Sequence, residues 1–202
     1  MTVPADRRYA PLFLAEDTKV PPAKARHLSF SECPKPHAVS LVRAWHSRLP
    51  ECQAGPWSHA FHAYHNGSSY AVALWNNPSA RTLPQSWREL RRMAIAPDAP
   101  RYTASKFLGW MARWFQRHEP SVDNLISYQD TSVHHGTIYK AAGWTAEHKS
   151  VPRTRDRSGF RANTTRLYRW NVNGADADAS AKVRWEKPLR RRKANPSREV
   201  EP

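Results

Sequence analysis

The stretch Ile126-Ser127-Tyr128-Gln129-Asp130-Thr131-Ser132-Val133-His134-His135-Gly136-Thr137-Ile138-Tyr139-Lys140-Ala141-Ala142-Gly143-Trp144 decides the fold of this chain. It reads as a buried strand that ends on polar residues, followed by a helix over 133–142 that closes at glycine and tryptophan. An acid, two imidazoles and a phenol fall where the strand stops and the helix begins. In open α/β sheets, side chains at that place converge on a crevice instead of vanishing into the core. Asp130, His134 and Tyr139 are therefore the first candidates for chemistry.

Upstream, Phe107, Leu108, Met111, Trp114 and Phe115 recur at helical spacing and predict a helix over 104–117. Before it, Trp87 to Ile95 reads as a strand. Two alternating apolar runs, Ala60 to Tyr64 and Tyr70 to Leu74, flank Asn66-Gly67, a pair that tolerates positive φ and marks a hairpin turn. Val39, Leu41, Val42 and Trp45 predict an amphipathic helix over 36–48, with Pro36 suited to its first turn. Downstream, Trp144 to Val151 and Thr164 to Val172 read as a closing pair of strands. The expected order is helix, three strands, helix, strand, helix, two strands, a mixed α/β sheet in a single domain over 27–172. Residues 1–26, with four prolines, read as an irregular N-terminal arm, and 173–202 as a disordered basic tail with too little apolar surface to offset ordering entropy.

The 202 residues carry 32 Lys+Arg against 17 Asp+Glu, a formal charge of +15. That balance fits a partner that is a polyanion, with double-stranded DNA the leading candidate. Arg190, Arg191, Arg192 and Lys193 in the tail are placed to neutralise phosphates without reading sequence. A membrane partner is not expected, since no basic amphipathic helix or spanning apolar run is present. Cys33 and Cys52 form no Cys-x-x-Cys pair and no secretory segment follows Met1, so a reduced cytoplasmic setting is expected. A homodimer is left open.

Several words narrow the fold further. Tyr139 followed by Gly143-Trp144 resembles the tyrosine-to-Gly-aromatic signature in the fourth helix of GCN5-related N-acetyltransferases (GNAT). Trp45-His46-Ser47-Arg48-Leu49-Pro50 is similar to the His-x-Ser-x-x-Leu-Pro region of the bacteriophage Mom DNA-modification proteins, with one residue fewer between His and Ser. The stretch from Asp130 to Trp144, with its His-His-Gly-x-Ile-Tyr core, resembles a stretch of the same family. Glu89-Leu90-Arg91-Arg92 and the Ser105 to Leu108 helix start look like two more of its words.

The resemblance implies a GNAT-like, mostly antiparallel central sheet flanked by helices. It also implies conversion of DNA adenine to an N6-carbamoylmethyl form that blocks restriction, in host cytoplasm if phage-encoded. By motif, its functional residues fall on Arg91 or Arg92, Ser105, Asp130 and Tyr139, with His46 and Ser47 in the first-helix word. One departure concerns the group donor, since ordinary acetyltransferases cradle the acetyl-CoA pyrophosphate in a glycine-rich loop, whereas Ala96 to Ser105 contains no glycine. The donor is therefore open between acyl-CoA and another compound. Thr103 and Ser105 at the helix start are candidates to hold its anionic part.

Each residue also has its own chemistry. Asp130 is placed to accept a proton from an amine, or to cap the following helix. Tyr139, a phenol with a pKa of about 10, suits protonation of a leaving thiolate, or else packs on the sheet. His134 and His135 point about 100° apart on a helix, so one lines the site. His46 joins them if the first helix crosses the same crevice; a metal such as iron is then conceivable, but no ligand spacing supports one and no metal ligand is assigned.

His59, His62 and His65 read as strand residues. Arg91 and Arg92 on a strand are expected to face opposite ways, one toward the crevice. Trp110 and Trp114 read as core, while Trp45, Trp57 and Trp75 are the better candidates to stack on an extruded base, Trp45 foremost, although a core position outweighs stacking for each taken singly. Two rival functions stand beside DNA modification: an acyl-CoA-dependent N-acetyltransferase of a protein, RNA or small amine, and a non-catalytic DNA-binding accessory protein.

Overall fold

A computed structural model describes residues 22, 24–46, 52, 57–133, 135–150 and 181–189. Seven strands form one sheet in the order β1-β2-β3-β4-β5-β7-β6. They are β1 (Ser29–Glu32), β2 (His59–His65), β3 (Ser68–Asn76), β4 (Trp87–Ile95), β5 (Asn124–Asp130), β6 (Thr145–Ser150) and β7 (Lys182–Pro188). Among the described residues three α-helices accompany them, α1 (Lys35–Trp45), α2 (Thr103–His118) and α3 (Thr137–Ala141). All neighbouring strands are antiparallel except β4 and β5. The mostly antiparallel α/β sheet expected from the sequence is thus present.

Alternation along the strands splits the core between two faces. Phe61, Trp75, Leu90 and Leu125 pack with Phe107, Leu108, Met111 and Phe115 of α2 on one face. Ala60, Val72, Leu74 and Ala94 pack with Ala38, Val39 and Val42 of α1 on the other. Each large apolar side chain so buried contributes on the order of 1.5–3 kcal/mol. Trp75 is wholly buried, its indole N–H directed at Met111 Sδ at 3.1 Å, so it is not available to stack on a base.

The parallel pairing of β4 with β5 covers only Trp87↔Asn124 to Leu90↔Ser127. Beyond that point the strands share no register. On its other side β4 carries a bulge against β3, which pairs Trp75 with Leu90 and Leu74 with Arg92 and leaves Arg91 as the extra residue. The two strands therefore part, and a slot opens between Arg91–Ile95 and Tyr128–Asp130.

The sequence reading needs correction at the C-terminal end. Lys182–Pro188, assigned above to a disordered tail, is a strand inserted between β5 and β6. Val183 and Trp185 face the α2-side core. Arg184 and Glu186 point the other way, paired with each other at 2.7 Å, and Glu186 also accepts from Asn124 Nδ2 at 2.7 Å. This period-two pattern was hidden because its polar half consists of opposite charges that satisfy one another. The expected strand 164–172, most of the N-terminal arm and residues 190–193 lie outside the described residues. So do Ser47 and His134.

The third helix is also shorter than expected. It is bounded by Gly136 and Gly143, both with left-handed φ near 70°, while residues 131–133 belong to turns.

Candidate active site at the slot between β4 and β5

Tyr139 projects from α3 onto the α2-side face of the sheet. Its ring stacks on Trp185 (5.3 Å between centroids, 12° between planes) and meets Trp144 obliquely at 5.8 Å and 61°. The hydroxyl hydrogen-bonds Ser127 Oγ at 2.9 Å, at the last paired position before β4 and β5 separate. Burial raises the pKa of the phenol and the Ser127 bond lowers it in part, leaving the protonated form favoured.

Gly136 makes this packing achievable. A Cβ there would lie 2.3 Å from Trp185 Cζ2 and 2.7 Å from Gln129 Oε1, and its φ is +71°. Gln129 Oε1 in turn accepts from Trp185 Nε1 at 2.6 Å. The glycine of the His-His-Gly-x-Ile-Tyr word is thus a point of close approach between α3 and β7, and Tyr139 is held by neighbours on both sides.

Asp130 ends β5, on the face opposite Ser127. Its Oδ1 accepts from the backbone N–H of Ser132 at 2.9 Å and from Ser132 Oγ at 2.6 Å. It closes a local turn upstream of Gly136 and does not cap α3, whose N-cap has no side-chain hydrogen bond. The carboxylate is half-buried at the mouth of the slot.

Arg91 and Arg92 do not face opposite ways as a regular strand would demand. The bulge turns both toward the α1-side face. Arg91 Nε lies 3.3 Å from Glu89 Oε1, and Arg92 stands opposite Leu74 and near enough to Cys52 to oppose the rise of its thiol pKa caused by burial. Glu89 is buried and is further fixed by Ser79, whose N–H and Oγ donate to Oε2 at 2.7 and 3.1 Å. Arg91 is consequently the arginine beside the slot, while Arg92 sits under α1. Tyr128, on the same face, has its phenol pKa raised by burial and by Glu89, against a lowering bond from Arg184.

Glu89, Ser127 and Arg184 were missed as site residues. Glu89 had a signal, since a carboxylate two positions before an arginine shares its strand face. Ser127 and Arg184 had none, because their roles depend on α3 and β7 returning to β5.

At the start of α2, Thr103 is buried and its Oγ1 donates to Pro100 O at 2.7 Å, while Ser105 Oγ donates to Tyr102 O at 3.2 Å. Tyr102, 71% exposed, adopts φ +69°, the conformation usual for glycine. Pro97 and Pro100 remove two N–H donors from the loop. This loop does not fit the pyrophosphate cradle that a CoA donor requires, though the helix start with Arg101 and Lys106 nearby is electropositive.

Among the other residues named above, Trp45 and Trp57 are half-buried against the α1-side core, and His46 closes α1 by a backbone bond to Val42 at 2.9 Å. His59 and His62 lie on strand β2 as read, His59 against Phe61 and Trp114, and His62 on Ser31, Ser69 and His37. Among the described residues, no three His, Cys, Asp or Glu side chains gather to hold a metal. No helix of the described residues is long and apolar enough to cross a membrane.

The Mom protein family matches residues 27–196. The chain belongs to the Mom protein family. That match extends through β7, consistent with its place inside the sheet. No curated protein matches the sequence.

Solved structures with the same fold include several acetyltransferases. The ribosomal-protein-S18-alanine N-acetyltransferase from Escherichia coli is 15% identical, covering 83% of this chain and 97% of its own, with a TM-score of 0.51. A Bacillus subtilis acetyltransferase in complex with CoA is 11% identical, with 81% and 99% covered and a TM-score of 0.55. The IAA acetyltransferase from Bacillus cereus is 16% identical, with 80% and 99% covered and a TM-score of 0.54. At these identities the likeness shows the GNAT fold alone.

Proposed function

We propose that this Mom-family protein is a DNA-modifying transferase that places a carbamoylmethyl group on N6 of adenine and thereby protects DNA from restriction. The observation that carries this reading is the slot itself. A phenol held in its protonated form stands on one face and the half-buried carboxylate of Asp130 on the other, in a chain matched over 27–196 by that family. The adenine would be extruded from the duplex to reach the slot. Asp130 takes a proton from N6 as the nitrogen forms its new bond to carbon. The donor's bond to its leaving atom breaks, and Tyr139 gives that atom its proton. Arg91 holds an anionic part of the donor by charge-assisted hydrogen bonds, and Ser105 lies at the electropositive start of α2.

Mass spectrometry of nucleosides from plasmid DNA of bacteria expressing the protein tests this, with Asp130→Asn as the control. A new adenosine derivative absent from the control supports the reading, and its mass identifies the transferred group. Unmodified DNA from well-expressed protein overturns it in favour of an amine acetyltransferase or a non-catalytic DNA-binding protein.

A further inference from the structure

A groove of about 450 Å³ lies between strand β1 and the second half of α2. Its walls are Phe30, Trp110 and Trp114, and its rim is Arg113 and Arg117. The core stripe of α2 is Phe107, Leu108, Met111 and Phe115, all buried. Trp110 and Trp114 flank that stripe one turn apart, and Arg113 and Arg117 lie one turn apart beside them. Because β1 has only four residues, it leaves the two indoles half-covered. Trp110 stacks on Phe30 at 5.7 Å, and Trp114 meets Phe61 edge-on at 4.8 Å, so both rings are held in place.

The charges around the groove are unbalanced. Glu119 is engaged by His59 and Arg88, and Glu32, which also borders the groove, lies 3.8 Å from His59. No carboxylate among the described residues pairs with Arg113 or Arg117. Arg117 offsets the negative end of the α2 dipole, but Arg113, a turn earlier, has no such role. Two unpaired guanidiniums bordering fixed, half-exposed indoles combine the two elements that hold a nucleic-acid strand: cations for phosphates and aromatic faces for bases.

We propose that this groove is a second contact site, taking a single-stranded stretch of DNA with a base against Trp110 and Trp114 and phosphates on Arg113 and Arg117. None of the residues lining the groove borders the slot. The choice of DNA over RNA rests on the proposed function; the fit to a nucleic-acid strand rests on the groove.

The test is fluorescence anisotropy of the full chain with labelled oligo(dT) of 20 nucleotides and a 20-base-pair duplex, across a salt series. Arg113→Glu/Arg117→Glu is expected to weaken oligo(dT) binding at least about tenfold and to reduce the salt slope by about 1.4, the loss of two single-strand phosphate contacts. Trp110→Leu, checked for folding by thermal melting, is expected to lose about 5- to 100-fold with little change in slope. Wild-type affinity and slope in the double variant overturn the proposal, as does no binding of oligo(dT) by the wild-type protein. Binding of duplex that Trp110→Leu weakens as much as that of oligo(dT) overturns the stacked base. Replacing Arg190, Arg191, Arg192 and Lys193 by alanine in parallel separates any contribution of that segment. Asp130→Asn is expected to bind oligo(dT) like wild type, and unmodified DNA in cells alongside groove-dependent binding defeats the proposed function while sparing this site.

Discussion

The two faces of the sheet treat the slot differently. On the α2 side, Tyr139 is enclosed by Trp144, Trp185 and Ser127. On the α1 side, around β4, β5 and β7, Glu89, Arg91, Arg184 and Glu186 form paired charges beside half-exposed Tyr128 and Asp130. The first environment disfavours ionisation of a phenol; the second sustains charged groups near water. An acid and a base working at one pH need such different surroundings, and the two groups to which the proposed reaction gives those roles lie on opposite sides of a single strand.

The largest effect that would break this contrast is expected from Asp130→Asn, which keeps the Ser132 turn but removes the proton acceptor. DNA modification, read as modified adenosine per microgram of DNA, is expected to fall by roughly 10²-fold or more. Tyr139→Phe leaves the Trp185 stack and removes only the hydroxyl, so a loss of roughly 10²-fold with an almost unchanged melting temperature is expected. Equal loss of stability in this variant would instead make Tyr139 a packing residue. Because its pKa is raised, the wild-type rate should show no decline from phenol ionisation until the pH passes about 10.

Gly136→Ala sharpens the comparison from the packing side. The added methyl meets Trp185 and forces a left-handed φ on alanine, so a destabilisation of roughly 2–4 kcal/mol is expected by denaturant titration. Glu89→Gln, on the charged side, is expected to lower modification by about tenfold while leaving the fold intact. The amide oxygen of the variant still accepts from Ser79, but without the negative charge it holds Arg91 less firmly.

The smallest effect concerns His62, whose pKa is pushed down to about 4 by burial and by His37. The unfolded chain binds a proton near pH 6.5 and the folded one does not. Stability from this group is present above about 6.5 and is lost as pH falls toward 4. His62→Gln should flatten the fall in melting temperature across that window.

The legible parts of the fold were those whose two periods are written in apolar residues. α2, the β2–β3 hairpin at Asn66-Gly67, and β4 follow the sequence reading closely. Illegible parts depended on partners distant in the chain. β7 looked like tail because Arg184 and Glu186 are charges that satisfy each other along the strand, while the apolar half of the pattern finds its core only once β7 pairs with β5. The bulge at Arg91 could not be read from β4 alone, and it reversed the expectation that Arg91 and Arg92 diverge. Asp130 and Tyr139 were legible as types at a strand end and on the following helix. Their separation onto two faces was not, since it depends on which side α3 returns to β5.

The insertion of β7 between β5 and β6 also bears on the order in which the protein is made. β6 leaves the ribosome before residues 151–181, and its partner β7 follows them. Until β7 threads in, β6 has no neighbour in the sheet among the described residues and Tyr139 lacks the Trp185 ring that covers it. A nascent chain stopped before Lys182 would thus carry every proposed catalytic residue without the strand and the ring that complete their surroundings.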